Sequence, residues 1–411
     1  MANQSGQKKP ILISGAGLAS LLLAQALRQT SLPFVIYERD ASLSFRAQGY
    51  RLRLSTLGLD AIESVLSPED WKLFWDTCGK TGGSGFAALN AVTGEDITQP
   101  KSDAPPQKMV EQERKGGPLD LGSRDGKIVG IARGEMRSLF LRGIEDRVRW
   151  SHNVTGYETT ETGVKVIFAD GSKSEEGEML IGGEGIYSKV AKQVSGGKLK
   201  TYDTGARGIH GQAPTTSFKE LGEGVWRAVD ESRGEGNKVF MITNVRPNDM
   251  DDPNVNFGWT MGAQPGVIQP PSGDYAIIGK PAADMAKELS KDWHPRLMPL
   301  FNNMLETEAA FWKITCSTPW GVPEWPNDPR VTVIGDAAHS MTPAGGIGAN
   351  TALRDSALLG KLIAEAGGFA EGITAAYEKE MRVYGSEAVA QSYGMATGQF
   401  GVKITEDSAT V

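Results

Sequence analysis

The sequence predicts an α/β fold in which a parallel sheet with flanking helices is interleaved with a second, mostly antiparallel sheet. Three stretches predict it. Residues 11–37 show the pattern strand, helix, strand, and residues 331–356 show strand, glycine-rich turn, helix. Between them, residues 225–261 contain longer apolar or alternating runs separated by turns. Strands that alternate with helices favour a parallel sheet, whereas successive strands joined by turns favour an antiparallel one.

Composition and charge narrow the class of protein. The chain has 411 residues, 39% of them hydrophobic and 23% charged, which is typical of a soluble globular protein with two or three domains. The net charge of −7 argues against a nucleic-acid partner. Cys78 and Cys316 provide no disulfide framework, so we expect a reducing, cytoplasmic location. The four histidines are widely spaced, and their spacing predicts no metal site.

An apolar run near the N-terminus, Ile11–Leu27, superficially resembles a signal peptide or a membrane anchor because two lysines precede it. Gly15, Gly17 and Gln25 interrupt the run, and no convincing cleavage site follows it. We therefore expect no membrane anchor here.

The same stretch forms a complete βαβ unit. Ile11–Ser14 is predicted as a strand, Leu18–Gln29 as a helix and Phe34–Tyr37 as a second strand. The turn between the first strand and the helix has the sequence GAGLAS, and Glu38 follows the second strand. This spacing is typical of a dinucleotide-binding unit.

Each residue type in the turn has a physical reason. Gly15 permits the tight turn, and Gly17 with Leu18 brings the helix N-terminus close to a pyrophosphate. Glu38 lies 21 residues after Gly17, where a carboxylate can bind ribose hydroxyls. Ser20 replaces the third glycine of the fingerprint and is still small enough for close packing. The pattern predicts an adenine-dinucleotide site but leaves FAD and NAD(P) as alternatives.

The downstream stretch is the second half of the prediction. Val331–Ile334 is predicted as a strand, Gly335 and Asp336 end it, and a helix begins near Asn350. The amide N–H groups at a helix N-terminus favour binding of a ligand with partial negative charge, such as a flat, polar ring system. The alternative is an ordinary strand-to-helix connection with a tight turn.

Together the two halves, a GAGLAS turn and GDAAHSMTPAGGIGAN, resemble the flavoprotein monooxygenases of the para-hydroxybenzoate hydroxylase type. The resemblance extends from Ile11 to about Tyr384 and implies a Rossmann-like FAD-binding domain with a parallel sheet. It implies that Asp336 holds the ribityl chain of the flavin. It also implies that the backbone of the glycine loop surrounds the isoalloxazine, at Pro343, Gly346, Gly348, Ala349 and Asn350.

Several arginines have roles that the resemblance implies. Arg39, within Glu38-Arg39-Asp40, matches an element of the family next to the adenosine. Arg46, Gly49 and Arg51 match a stretch near the FAD pyrophosphate and the flavin edge, and for the arginines the alternative is a solvated strand face. Arg133, at a strand-to-helix corner, matches an FAD-contacting arginine, and its alternative is a surface charge at a helix start.

The family's second fingerprint is present with departures. Glu184 stands where aspartate is expected, and Ala191 stands where an arginine is usual, beside Lys192. The longer carboxylate can still bond a backbone or ribose group, whereas the loss of the arginine weakens the prediction of NADPH recognition. Ile347 stands where a polar residue is common in the glycine loop, which affects only local packing.

The sequence also predicts how the domains divide. Residues 1–84, 120–196 and 328–372 form the FAD-binding domain, residues 85–119 and 197–327 the substrate domain, and residues 373–411 a C-terminal helix and tail. The polar stretch 82–127 is either a surface insertion or a lid over the substrate pocket. Phe257, Trp259 and Met261 lie on one strand face; we expect mostly core, with some of them lining the pocket. Arg207 is the candidate catalytic residue, and a solvated strand arginine is its alternative.

The resemblance implies an FAD-dependent monooxygenase that uses NADPH or NADH and O2. It would insert one oxygen atom, by hydroxylation or epoxidation through a C4a-hydroperoxyflavin, into an aromatic or polycyclic small molecule of natural-product type. The alternative is a flavin-dependent dehydrogenase, oxidase or reductase on the same scaffold. A monomer or a homodimer is expected.

Overall fold

A computed structural model describes residues 8–43, 51–81, 86–98, 124, 127–246, 250–252, 255–270 and 277–411. Two residues with predicted cofactor contacts, Arg46 and Gly49, lie outside the described residues. So does most of the polar stretch 82–127, and the choice between an insertion and a lid stays open.

A five-stranded parallel sheet forms the centre of the first layer, in the order β16-β10-β1-β2-β7. Its short strands are almost entirely buried, as expected where helices cover both faces of a sheet. The strands are β1 (Ile11–Ser14), β2 (Phe34–Tyr37), β7 (Val148–Arg149), β10 (Met179–Gly182) and β16 (Val331–Val333).

Within the described residues, two small sheets and eight helices surround this centre. The small sheets are β3 (Arg51–Leu54), β6 (Ile128–Ala132) and β4 (Gly79–Thr81) in that order, and the hairpin β8 (Val154–Thr159) with β9 (Val164–Phe168). The helices are α1 (Leu18–Gln29), α2 (Thr56–Val65), α3 (Pro68–Thr77), α4 (Arg133–Leu141), α5 (Lys189–Val194), α8 (Asp336–His339), α9 (Gly348–Ala366) and α10 (Ile373–Phe400). The helices α1 and α9 approach closely because Gly360 has no side chain; a Cβ there would lie 2.6 Å from that of Ala26.

The second layer is a six-stranded sheet in the order β15-β11-β14-β13-β12-β5. All its pairs are antiparallel except β12 with β5, which are parallel. The strands are β5 (Phe86–Asn90), β11 (Thr201–Pro214), β12 (Gly224–Asp230), β13 (Val239–Val245), β14 (Asn256–Ala263) and β15 (Ala310–Ser317). The helices α6 (Lys280–Ser290) and α7 (Met298–Asn302) pack on one face.

The two faces of this sheet differ in burial. Phe257, Trp259 and Met261 are at most 2% exposed and pack with α6 and α7, in a cluster that includes Leu300 and Phe301. The three residues share one face, as predicted. The prediction that some of them line the pocket is wrong, because α6 and α7 close that face.

The other face of the sheet is directed toward the glycine loop. Ala344 of that loop packs with Phe240 and Ile314 of the sheet and with Phe400 at the end of α10. Farther along the strands, alternate positions on this face are half-exposed, as the burial patterns of β11, β13 and β14 show. We call the accessible space between this face and the glycine loop the crevice.

The predicted fold class is confirmed, and β1, α1 and β2 have the predicted bounds. The strand predicted at Val331–Ile334 ends at Val333, and the helix predicted from near Asn350 begins at Gly348. The sequence also predicts one helix over 282–300, but the structure divides it into α6 and α7 around Pro295, which cannot donate the backbone hydrogen bond of a continuous helix. The C-terminal tail pairs with β11, because the N–H groups of Asp203 and Val411 donate to the carbonyls of Ala409 and Thr201. The predicted domain bounds stay a prediction.

None of the described helices combines the length and the low charge that crossing a bilayer requires. Within the described ranges, no group of three or more His, Cys, Asp or Glu side chains could hold a metal ion.

Two glycine-to-alanine substitutions test the packing of the second layer. A Cβ at Gly211 would overlap the Trp259 indole, so Gly211→Ala should lower the free energy of unfolding by about 1–3 kcal/mol. A Cβ at Gly394, inside α10, would meet nothing within 4 Å, so Gly394→Ala should raise it by about 0.5–1 kcal/mol. Chemical denaturation measures both, and equal effects of the two substitutions would contradict the packing described here.

Candidate active site

The turn after β1 is the tightest point of the parallel layer. Gly15 has φ 89°, its N–H donates to Tyr37 O over 2.7 Å, and a Cβ there would lie 2.6 Å from Gly183 O. A Cβ at Gly183 would in turn overlap Ser20 Oγ. Ser20 therefore permits the close packing predicted for the third position of the fingerprint. Only small residues fit where β1, β10 and α1 meet.

The N-terminus of α1 opens onto the crevice. Gly17 is its N-cap, without a side-chain hydrogen bond, and the first turn contains no acidic residue. Gly17 and Leu18 are both half-exposed. A helix end with accessible N–H groups and no competing carboxylate suits a pyrophosphate.

Glu38 connects β2 to the glycine turn. Its carboxylate accepts hydrogen bonds from Ala16 N over 2.6 Å and from Asp40 N over 2.9 Å, and the residue is 8% exposed. The carboxylate is thereby held beside the turn, and its predicted bond to ribose stays a prediction. Arg39, next in the chain, is exposed at the end of β2.

Arg137 is a residue that the sequence analysis missed. Its Nε and Nη2 donate to Ala16 O over 3.2 and 3.0 Å, and its Nη1 donates to Leu43 O over 3.4 Å. The residue is 3% exposed. The sequence could have indicated this role, because Arg137 follows Met136 on the buried side of α4, and a buried cation needs specific hydrogen-bond acceptors. The buried guanidinium holds the glycine turn from the side opposite the sheet.

Arg133 and Asp336 are two predicted residues that the fold brings together. Arg133 is the first residue of α4, and Asp336 is the first of α8, after Gly335 with φ 63°. The Asp336 side chain is accessible from the crevice, yet the protein around it raises its pKa by desolvation, while the charges of His339 and Arg133 lower it. A carboxylate thus faces the crevice close to a guanidinium.

The glycine loop lines the same crevice. Gly345 and Gly346 have φ 78° and 65° within a short 3-10 turn that follows Pro343. Pro343 is exposed, whereas Gly346, Gly348 and Ala349 are half-exposed. Backbone without bulky side chains is therefore accessible at Gly346, Gly348 and Ala349, whereas Ala344 and Ile347 are buried.

Asn350 has a different placement from the rest of the loop. Its Oδ1 accepts from Ser55 N over 2.9 Å, and its Nδ2 donates to Arg53 O and Gly346 O, both over 3.0 Å. Its side chain is 4% exposed and joins the glycine loop to the end of β3. Asn350 therefore acts on the site by positioning backbone.

Two further predicted residues bond to protein groups. Arg51 Nη2 donates to Gly130 O of the neighbouring strand β6 over 2.8 Å. Arg207 forms a buried ion pair with Asp203, with Nη1 to Oδ1 at 2.6 Å, and its register neighbour Ala263 belongs to the cluster beneath α6. A catalytic role for Arg207 stays a prediction that this placement does not favour.

Glu184 caps α5. Its Oε2 accepts from Ser188 Oγ over 2.6 Å and its Oε1 accepts from Val190 N over 3.3 Å, although desolvation raises the pKa of the carboxyl. The prediction that a longer carboxylate still bonds backbone is confirmed. Ala191 is 4% exposed and its N–H donates to Ser188 Oγ, so the position is apolar and packed.

A buried polar network beneath Gly335 was also missed. Asp355, which is fully buried, accepts from Gly335 N over 2.6 Å and from Tyr384 OH over 2.6 Å. Its Oδ2 lies 2.8 Å from His339 Nε2. Burial alone would lower the pKa of His339, but the charge and hydrogen bond of Asp355 outweigh it and raise that pKa. The network holds the loop that presents Asp336.

Comparisons with known proteins agree with this geometry. The family described as an FAD binding domain matches residues 141–392. The dual O-methyltransferase/FAD-dependent monooxygenase elcB of Phaeosphaeria nodorum is 29% identical over 392 residues, covering 86% of this chain. The FAD-dependent monooxygenase thnD of Trichoderma harzianum is 25% identical, covering 86% of this chain and 82% of its own length. The chain spans only 40% of elcB and 43% of a similar dual-function protein, CTB3 of Cercospora beticola.

Solved structures share the fold. HpxO of Klebsiella pneumoniae, complexed with FAD and uric acid, superposes with a TM-score of 0.71 at 20% identity, covering 97% of this chain and 91% of its own. The 2,6-dihydroxypyridine-3-hydroxylase of Arthrobacter nicotinovorans superposes with a TM-score of 0.70 at 15% identity, covering 99% and 98%.

Arg137→Met should weaken FAD binding by about tenfold or more, because it leaves Ala16 O buried without its charged donors and loosens the glycine turn. Quenching of FAD fluorescence on titration with the apoprotein measures the dissociation constant. Arg142→Met, at the exposed end of the same helix, is the control and should change it little. An Arg137→Met protein with wild-type affinity would contradict the role of this residue.

The His339–Asp355 pair predicts a pH dependence of stability. Because the pKa of His339 is raised above its ordinary value of 6.5, the native state holds a proton there that the unfolded state releases. The contribution of the pair to the free energy of unfolding is complete below pH 6.5 and is lost as pH rises through the native pKa. It amounts to about 1.4 kcal/mol for each tenfold difference in proton affinity between the native and the unfolded state. His339→Gln should flatten this part of the pH profile in denaturant titrations, and His294→Gln, outside the network, should keep it. An unchanged slope in His339→Gln would refute the assignment.

Proposed function

The chain belongs to the FAD binding domain family, and we propose that it is an FAD-dependent monooxygenase. It consumes NADPH or NADH with O2 and inserts one oxygen atom into an aromatic or polycyclic small molecule. The observation that carries the proposal is the combination of an accessible α1 N-terminus, an exposed Asp336 under the influence of the charge of Arg133, and a glycine loop that packs against the second sheet.

The residues fit FAD at each end. At the adenosine end, a Cβ at Gly15 would obstruct the turn, Gly17 leaves the N-terminus of α1 accessible, and Glu38 presents a held carboxylate. At the flavin end, the exposed Asp336 would hold the ribityl chain, and the backbone of the glycine loop would lie against the ring. The residues that would hold FAD are Gly15, Gly17, Leu18, Glu38, Arg133, Asp336, Pro343, Gly346, Gly348 and Ala349.

When bound, FAD supplies the redox chemistry that activates O2. The chain's own contribution is orientation and exclusion of water. Asn350 and Arg137 fix the two backbone segments against which the cofactor lies. The second sheet covers the crevice from the opposite side, and Ala344 brings that sheet into direct contact with the glycine loop. A substrate between the two layers is thereby placed next to the flavin position.

The activities of the similar proteins support the reaction class. The protein thnD is named as an FAD-dependent monooxygenase. The protein elcB is named as an FAD-dependent monooxygenase combined with an O-methyltransferase. HpxO was solved with uric acid and the Arthrobacter enzyme is named for a dihydroxypyridine, so flat heteroaromatic rings fit this fold. We infer from them an oxygen-bearing ring compound as substrate here.

A dehydrogenase, oxidase or reductase activity is the second candidate. It is favoured by one observation, the buried Ala191 where the family usually has an arginine, which leaves this position without a cation for nicotinamide-nucleotide phosphates.

The test uses the purified protein loaded with FAD and NADPH or NADH in air, with isotopically labelled O2 and a panel of hydroxylated aromatics. We expect substrate-stimulated oxidation of the nicotinamide and a product that carries one labelled oxygen. Asp336→Ala should bind FAD at least about tenfold more weakly, since it removes the charged group that would hold the ribityl chain. Stimulated oxidation that yields only hydrogen peroxide would favour the second candidate, and a protein that binds no FAD would overturn both.

A further inference from the structure

A row of five side chains crosses the half-exposed face of the second sheet. The strand register pairs His210 with Thr260, Thr260 with Ile242, Ile242 with Arg227, and Arg227 with Ala88. All five are half-exposed, whereas the residues that follow or precede them on the strands are largely buried on the other face. The row therefore forms the floor of the crevice, with a polar group near each end and apolar surface between.

His210 is held in one orientation at the first end. Its Nδ1 lies 3.0 Å from Thr260 Oγ1, and its ring stacks on Trp312 with centroids 4.9 Å apart and planes 1° from parallel. The stack depends on Gly208, where a Cβ would lie 2.5 Å from the Trp312 indole. Burial lowers the pKa of His210 to about 3, so the ring is neutral at neutral pH. A neutral, oriented imidazole suits a hydrogen bond to an uncharged hydroxyl or carbonyl.

Buried donors without acceptors lie at both ends of the row. Among the described residues, nothing accepts a hydrogen bond from Trp312 Nε1, beside His210, or from Arg227 Nε. A buried donor without an acceptor costs about 1–3 kcal/mol, so each position favours a ligand oxygen. Arg227 is also partly desolvated, which lowers the pKa of its guanidinium and strengthens its attraction for an anionic oxygen.

The separation of the two ends sets the size of the ligand. From His210 on β11 to Arg227 on β12 the row crosses three inter-strand spacings, or roughly 14 Å. A single aromatic ring with two oxygen substituents covers less than half of that length. A linear system of three fused rings with an oxygen at each end covers most of it. Ile242, and Ala88 beyond Arg227, provide apolar surface for the ring faces.

We propose that this row selects the substrate as an elongated polycyclic aromatic with an oxygen function at each end. His210 and Trp312 bind one oxygen as a hydroxyl or carbonyl, and Arg227 binds the other as a phenolate or an enolate. The inference rests on the proposed function for the identity of the site, and it adds the residues that determine specificity and the length of the molecule that they select.

Equilibrium binding tests the proposal without turnover. The probes are 3-hydroxybenzoate, 2,6-dihydroxynaphthalene, 2,6-dihydroxyanthraquinone and 2-hydroxyanthraquinone, titrated into the FAD-loaded protein and followed by quenching of tryptophan fluorescence. We expect the three-ring probe with two hydroxyls to bind at least about tenfold more tightly than the one-ring probe, because only it reaches both ends of the row.

Two substitutions separate the ends. His210→Gln and Arg227→Gln should each weaken binding of 2,6-dihydroxyanthraquinone by about tenfold or more. The one-ring probe reaches only one end of the row, so Arg227→Gln should weaken binding of 3-hydroxybenzoate through its carboxylate, whereas His210→Gln should change it by less than about threefold. Because 2-hydroxyanthraquinone has a hydroxyl at one end only, just one of the two substitutions should still weaken its binding. His294→Gln and Arg147→Gln, which lie outside the row, are the matched controls, and circular dichroism with FAD content confirms folding. Arg227→Lys, which keeps the charge, should recover part of the lost affinity.

The outcomes distinguish this inference from the proposed function. Equal affinities for one-ring and three-ring probes, or equal losses for all probes in both variants, would overturn the inference even where labelled oxygen is transferred. Length-selective binding that depends on His210 and Arg227, in a protein that transfers no oxygen to any bound probe, would support the inference and overturn the monooxygenase proposal.

Discussion

The close approach of the segments that follow the parallel strands β1 and β10 is the constraint on which the cofactor half of the structure depends. Gly15 can turn against Gly183 only because neither residue has a side chain, and Ser20 is small enough to pack against the same point. This approach fixes where α1 begins and leaves its N-terminus accessible. Glu38 and Arg137 then hold the N–H and the carbonyl of Ala16, so a turn of small residues is fixed from both sides by buried charges.

The flavin half is stabilised in the same way. Side chains that lie away from the crevice hold the backbone segments that line it. Asn350 joins the glycine loop to β3, and Asp355 joins Gly335 to His339 and Tyr384. Because these polar groups are buried and satisfied, the loops that they hold are rigid and need few bulky side chains of their own. The crevice thereby keeps a flat, backbone-lined wall opposite the second sheet.

The second sheet contributes by having two unlike faces. One face is closed by α6 and α7 and contains Phe257 and Trp259, whereas the other presents His210, Thr260 and Arg227 to the crevice. The aromatic residues that most resemble a ring-binding surface in the sequence are therefore core. The residues that face the crevice occupy the positions that alternate with these core residues along the strands. Period-2 alternation predicts that the two sets lie on opposite faces, but not which face is open.

The sequence by itself determined the βαβ unit, the strand–glycine loop–helix unit and the family that the two together resemble. These signals are local: each depends on residues within one short segment, where turn chemistry and apolar periodicity decide the structure. Residues whose contacts are local or made through backbone, such as Gly15 and Gly346, could therefore be predicted. Only the tertiary structure revealed Arg137, Asp355 and the row from His210 to Arg227, and it placed Arg207 against Asp203. Arg137 contacts Ala16 from a distant segment, and the row from His210 to Arg227 is set by strand register, so no single segment contains these partners. Asp203 and Arg207 lie on one strand, and Asp355 lies in the same stretch as His339, but their pairing depends on how β11 and the glycine loop turn in three dimensions.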